Sequence, residues 1–195
     1  MRQTSVLFVC TLTLALCAVC ASAQAPPPDT LKVDYFANAN TGAPDATVRV
    51  MNPGTSGGDL CAAIYVLDVN QEMSECCSCF VSPNGLFTLS VNTDLTKNPL
   101  TGVILNGGVI KIMSTQKTGA TCPKYPIGTT PTAAIRSWAT HIQNGSFTIT
   151  ENPSQDATLS TTEQRDLQNG CHAIQLDGSG KGLCTCGTGG GGGGT

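Results

Sequence analysis

The chain has 195 residues, with ten Lys and Arg against thirteen Asp and Glu and a formal net charge of −3. That balance provides no basic footprint, so nucleic acid is excluded as an expected partner. Only 12% of residues are charged, while Thr, Ser, Asn, Gly and Pro abound, a composition that favours strands joined by turns.

The N-terminus has the three parts of a secretory signal. Met1 to Ser5 carries one positive charge, Arg2; Val6 to Cys20 is apolar apart from Thr11 and Thr13; Ala21-Ser22-Ala23 places small residues at the cleavage site. The apolar run of about 15 residues is short for a hydrocarbon core roughly 30 Å thick, so cleavage is preferred over a retained membrane anchor. Cys17 follows Leu16 and Cys20 follows Val19, where lipidation favours a small residue. Residues 1–23 are therefore expected to leave, with Gln24 as the mature N-terminus. The mature chain of roughly 170 residues suffices for one domain with its own core. No later segment is apolar for ~18 residues, so no membrane span is expected in it.

Residues 24–30 contain Pro26-Pro27-Pro28, a stiff extended leader. One β-rich domain is expected over 31–186. Leu31 to Phe36 and Thr47 to Met51 alternate apolar and polar as half-buried strands do. Leu60 to Val69 is the most apolar mature stretch. It suits a central strand buried on both faces, with a buried helix segment as the alternative. Three hairpins are predicted from their turns. Ser82-Pro83-Asn84-Gly85 joins Cys79-Phe80-Val81 to Leu86–Val91. Asn106-Gly107 joins Val103-Ile104-Leu105 to Val109–Ile112, and Asn144-Gly145 joins Trp138–Gln143 to Ser146–Thr150. Asn-Gly favours hairpins because a type I′ turn needs positive φ at both central residues. A two-residue turn in the third opposes Ile142 to Phe147, Thr140 to Ile149 and Trp138 to Glu151. The apolar face then holds Trp138 and Ile142, and His141 lies on the wetter face.

Ser160-Thr161-Thr162-Glu163 is a capping box. Leu167, Cys171 and Ile174 follow at helical spacing, which predicts one helix ending at Asp177-Gly178-Ser179-Gly180. Gly170 weakens it by up to ~1 kcal/mol. Cys171 falls on the apolar stripe, in position to staple the helix to the sheet. Residues 187–195 are almost all glycine and are expected to form a flexible tail, or a packing segment against other chains.

Cys10, Cys17 and Cys20 leave with the signal. Cys61, Cys76, Cys77, Cys79, Cys122, Cys171, Cys184 and Cys186 remain. An even count in an exported chain predicts disulfides, with roughly a hundred possible connectivities. Cys76 and Cys77 are adjacent, and Cys184 and Cys186 nearly so, so each should pair elsewhere. The simplest arrangement ties the Cys76–Cys79 cluster to the C-terminal cysteines. The alternative is a thiolate metal site, although the paired C-x-x-C of a zinc ribbon and the C-x-x-C-H of haem attachment are both missing.

Other chemistry is sparse. The histidines, His141 and His172, accompany neither a G-x-S-x-G elbow nor an H-E-x-x-H helix. Gly178-Ser179-Gly180-Lys181-Gly182 lacks the spacing of a phosphate loop and follows a helix, so it reads as a helix stop. Asp68-Val69-Asn70-Gln71-Glu72 begins like a calcium loop, but Met73 and Cys79 occupy the positions that need Gly and Glu. Glu72 and Glu75 could form an acid pair. Asn144-Gly145-Ser146 is an N-glycosylation pattern. No catalytic residue, metal or cofactor is expected.

The strings VDYFANANTGAPD, LCAAIYVLD, QEMSECCSC and CTCGTG resemble uncharacterised secreted cysteine-rich bacterial proteins over nearly the whole mature chain, with C-C-x-C and C-x-C as the distinctive marks. The resemblance implies export and a shared fold. The expected fold is an antiparallel β-sandwich, Ig-like or similar, of seven to nine strands with one C-terminal helix. The expected role is a secreted or surface-exposed structural or binding domain, with a cell-surface ligand or self-association as possible partnerships. Alternatives are a secreted enzyme or inhibitor using loops near Cys76–Cys79, and a self-assembling extracellular subunit.

Overall fold

The computed structural model describes residues 30–117, 119–123, 126–143 and 148–187. The signal expected over 1–23, nearly all of the leader, the Asn144-Gly145 turn with its glycosylation pattern, and the tail beyond Gly187 lie outside the described residues.

Among the described residues, nine strands and one α-helix follow in chain order. They are β1 (Leu31–Ala37), β2 (Thr47–Met51), β3 (Leu60–Leu67), β4 (Met73–Val81), β5 (Leu86–Ser90), β6 (Gly107–Gln116), β7 (Arg136–Ile142), β8 (Ile149–Pro153), β9 (Gln155–Ala157) and α1 (Thr161–Leu176). A short π-helical turn, Val91–Leu95, follows β5 and is capped by the Ser90 hydroxyl, which accepts from the Thr93 amide. One sheet has the order β4-β3-β6-β1-β9 and the other β5-β2-β7-β8. Every pairing within them is antiparallel. This is the sandwich with a C-terminal helix that the strand-and-turn pattern predicts.

β3 is an interior strand, bonded to β4 on one side and β6 on the other. Its unbroken apolar run is explained by two cores. Leu60, Ala62, Ile64 and Val66 face the second sheet, packing with Val48, Phe87, Leu89 and Ile112. Ala63 and Tyr65 point the other way, under α1, with Leu167, Cys171 and Ile174. A period-2 element with a sheet over one face and a helix over the other has no polar face to show. The helix begins where the capping box places it: the Ser160 hydroxyl accepts from the Glu163 amide at 3.1 Å. At Gly170 a Cβ would meet only the flexible end of Met73, 2.9 Å from its Cε and 3.2 Å from its Sδ.

Three turn readings need correction. Ser82–Gly85 is a tight turn, with Gly85 N–H donating to Ser82 O at 2.8 Å and Asn84 at φ 61°. It joins β4 and β5, which lie in different sheets, so it is an arch rather than a hairpin. Turn chemistry sets a reversal, but the partner of each strand is decided by the rest of the sheet. Asn106-Gly107 makes no hairpin either. Val103 and Ile104 are 65% and 52% exposed and precede the strand as loop, while β6 pairs with β1 and β3. Its neighbour Gly108 answers to sterics, because a Cβ there would lie 2.2 Å from the Leu67 carbonyl oxygen. The third hairpin exists, but its register is shifted by two residues. Ile142 opposes Ile149, Thr140 opposes Glu151 and Trp138 opposes Pro153.

The faces of that hairpin are reversed over most of β7, although Ile142 is buried as expected. Ser137, Ala139 and His141 point inward and are buried, whereas Trp138 and Thr140 are only partly covered. The neighbouring strand is the cause. β2 buries Val48 and Val50 completely, opposite Ala139 and Ser137 respectively, and pairs Arg49 with Trp138 on the outer face. Side chains level with one another in adjacent strands share a face, so β2 sets the orientation of β7. One hairpin went unread in the sequence. β3 and β4 are joined by Asp68–Glu72, closed by the Asp68 amide on Glu72 O at 2.9 Å.

Candidate functional site

The cysteine cluster lies within β4. Successive side chains in a strand point to opposite faces, so adjacent Cys76 and Cys77 diverge while Cys77 and Cys79 share a face. Cys76 bonds to Cys171 on the helix, Cys77 to Cys184 and Cys79 to Cys186. The fourth bridge, Cys61–Cys122, fastens the far end of β3 to a loop. After the helix stops, the chain returns beside the open edge of β4. Cys76 N–H donates to Gly182 O at 2.8 Å and Cys184 N–H to Cys76 O at 3.2 Å. Cys184 and Cys186 then meet Cys77 and Cys79 as two rungs. The C-C-x-C and C-x-C spacings are those of a strand edge covered and stapled by the tail.

The sulfurs of Cys77, Cys79 and Cys186 lie within 4.8 Å of one another, close enough to hold a metal ion as thiolates. Bonded in disulfides they carry no thiolate, so the metal alternative and this pairing exclude each other.

The acids near the cluster have separate roles. Glu72 is exposed at the hairpin tip, while Glu75 is fully buried, so they do not form the pair considered from the sequence. Glu75 Oε1 accepts from the Asn98 amide at 2.9 Å, and Oε2 has no partner. Burial pushes its carboxyl up to about 7, against the opposing effect of the Asn98 bond. Asn98 in turn holds the tail: its carbonyl accepts from Gly182 N–H at 2.7 Å, and its side chain donates to Gly180 O at 2.9 Å. Asp68 uses one carboxylate oxygen to accept from the amides of Asn70 and Glu72, at 2.8 and 2.9 Å. The fragment that begins like a calcium loop is thus a side-chain-braced hairpin turn. The glycine-rich segment after α1 is a helix stop, with Gly178 at φ 69° and Asp177 accepting from Ser179 N–H at 2.7 Å. These Ser179 bonds hold the Asp177 carboxyl below its usual range.

A second cluster lies where the sandwich closes between β1 and β7. His141 Nε2 is 3.2 Å from Asp34 Oδ1, with both side chains buried. The same oxygen accepts from Tyr35 N–H at 2.9 Å, and Oδ2 accepts from the Ser154 hydroxyl at 2.9 Å. The Tyr35 ring stacks on the imidazole with centroids 4.3 Å apart and planes 22° from parallel. His141 Nδ1 is buried without a partner. A groove of about 360 Å³ opens here, walled by Tyr35, Val109, His141, Asn152, Pro153 and Gln155. Asp34 stands between Ser154 and His141, so no hydroxyl is bonded to the imidazole as a nucleophile in a triad is. Sequence reasoning did not reach Asp34, Tyr35 or Ser154. The available signal was parity: Lys32 and Asp34 share a face with Phe36, which places charges on the side that packs against the other sheet.

No protein family, curated protein or solved structure matches the chain.

Proposed function

We propose that this chain is exported and acts outside the cytoplasm, secreted or at the cell surface, as a structural or binding domain without catalysis of its own. The observation that carries this is the clamp on β4. Three disulfides run from one strand to the last quarter of the chain, at sequence separations of 95, 107 and 107. Such bonds persist where the surroundings are oxidising and are rare under cytosolic reduction. The N-terminal charge, apolar run and A-x-A site support the same compartment. The remaining chemistry-bearing side chains support a non-catalytic role: Asp68 braces a turn, Glu75 anchors a loop and Asp34 ties Tyr35, Ser154 and His141 together.

The test is expression of the whole chain in a bacterium, followed by fractionation. Protein recovered outside the cytoplasm, beginning at Gln24 and showing almost no titratable thiol when denatured without reductant, is the expected result. Retention in the cytoplasm as the uncleaved chain, with all eleven cysteines titratable as thiols, refutes the proposal. Hydrolytic turnover by the pure protein that disappears in His141→Phe refutes its non-catalytic half.

A further inference from the structure

A groove of about 590 Å³ lies between the β3–β4 hairpin tip and the N-terminal part of α1. That volume suits a small ligand. Its floor is apolar: Leu67, Met73 and Val109 are half-buried there, and Leu167 is buried. Two of its lining residues go against local preference. Gly170 lowers the helix propensity of α1, yet an added Cβ would meet only the flexible end of Met73, so the fold does not require glycine there. Gln71 stands at φ 68°, a left-handed conformation that glycine adopts without strain. Residues that break local rules without a packing reason are expected where a protein works. Gly170 keeps the groove open on the helix side, and Gln71 brings an amide to its rim.

The charges narrow the chemistry. Lys111, the one cation among the described lining residues, is ion-paired with Glu163. Two further acids, Asp68 and Asp166, line the groove without a close cation. Asp68 uses one oxygen to accept from the Asn70 and Glu72 amides, which leaves its second oxygen for a ligand. Asp166 has Arg165 Nε at 3.8 Å, with the two side chains 67% and 65% exposed, a pairing that holds neither firmly. Three carboxylates against one ammonium give the lining a net charge of −2, in a chain whose formal charge is −3. A groove of that sign attracts cations, and its apolar floor suits a hydrocarbon stem behind the charge.

We propose that this groove binds an organic ammonium ion, its hydrocarbon stem laid on Leu67, Met73 and Val109 and its charge at the carboxylates of Asp68 and Asp166. A free alkylamine and the lysine side chain of a peptide both present that chemistry. The inference rests on reading the chain as a binding domain and gives that domain its site. It fails separately, because export and thiol count are measured without any ligand.

The experiment uses the full mature domain with ¹³C-labelled methionine methyls, at neutral pH and low salt. Met73 lines the groove and Met51 lies on β2 in the other sheet, so the two methyls separate a local event from a general one. The probes are hexylammonium in one arm and Nα-acetyl-lysine methylamide in the other, with hexanoate as the chain of opposite charge. A saturable shift of Met73 with Met51 unmoved supports the proposal. A shift in one arm alone identifies the source of the ammonium; shifts in both support the shared chemistry. Asp166→Asn should bind about fivefold more weakly, the effect of one exposed ion pair. Gly170→Leu fills the groove from the helix side and should abolish the shift while the melting temperature holds or rises. Should that variant not fold, Asp166→Asn, a change at an exposed position, carries the test. No saturable shift with either amine, an equal response to hexanoate, an equal movement of Met51, or wild-type affinity in either folded variant overturns the proposal.

Discussion

The two rungs between β4 and the tail give a quantitative prediction about how disulfides combine. In the chain-entropy model a bridge closing a loop of about 100 residues stabilises by roughly 4.7 kcal/mol. Three such bridges counted independently would contribute about 14 kcal/mol, but these three nearly share one loop. Once Cys76–Cys171 is closed, with a separation of 95, Cys77–Cys184 closes only a further segment of roughly 14 residues, worth about 3 kcal/mol. With both in place, Cys79–Cys186 closes a ring of only a few residues, worth about 2 kcal/mol. Replacing Cys79 and Cys186 by Ala should therefore cost about 2 kcal/mol in loop entropy, plus about 1 kcal/mol for the volume lost at buried Cys79. Removing Cys77–Cys184 alone should cost a similar amount, because the outer rung still holds the tail. Removing both rungs should cost about 5 kcal/mol before any cavity contribution, somewhat more than the two single losses together. The assay is urea unfolding of oxidised protein, with the remaining bridges verified by peptide mapping. A loss of 4–5 kcal/mol from either rung alone would falsify the shared-loop reasoning and show that each bridge acts independently.

Three further outcomes are expected. Glu75 titrates near 7 in the fold against 4.5 for the ordinary group, so the folded protein binds the extra proton between those values. Its stabilising contribution is complete below about pH 4.5 and lost as pH rises through 7, by roughly 3 kcal/mol in all. Glu75→Gln should remove that decline, and wild type and variant running parallel from pH 4.5 to 8 in denaturant titrations would contradict it. Ser160→Ala removes the oxygen that caps α1 and should lower the unfolding free energy by about 1 kcal/mol, with no change in the disulfide map. Two glycines should respond in opposite directions. Gly170→Ala meets only the mobile end of Met73 and gains helix propensity, so thermal stability should hold or rise, by up to ~1 kcal/mol. Gly108→Ala meets the Leu67 carbonyl and should lose about 2–3 kcal/mol; equal melting temperatures for the two variants would argue against this packing.

The sequence by itself determined most elements one at a time. The extents of β1, β2 and β5, the apolar continuity of β3, and the start and stop of α1 follow from period, capping and turn residues. These signals are local: a strand's alternation or a helix cap is set by residues within a few positions of one another. What only the tertiary structure decided is which strands are partners and which way they face. Ser82–Gly85 reverses the chain whether β5 joins the same sheet or crosses to the other, and the local residues are the same in both cases. β7 faces inward through Ala139 because Val48 lies beside it, some ninety positions away in sequence. The candidate groove is nonlocal for the same reason. His141 belongs to one sheet and Asp34 to the other, so neither residue's neighbours in the chain announce the pair. The cysteines fall between these cases. Their count and clustering announce staples, but the pairing needed the tail to lie along β4, where strand alternation sends Cys76 to the helix and Cys77 and Cys79 to the two rungs.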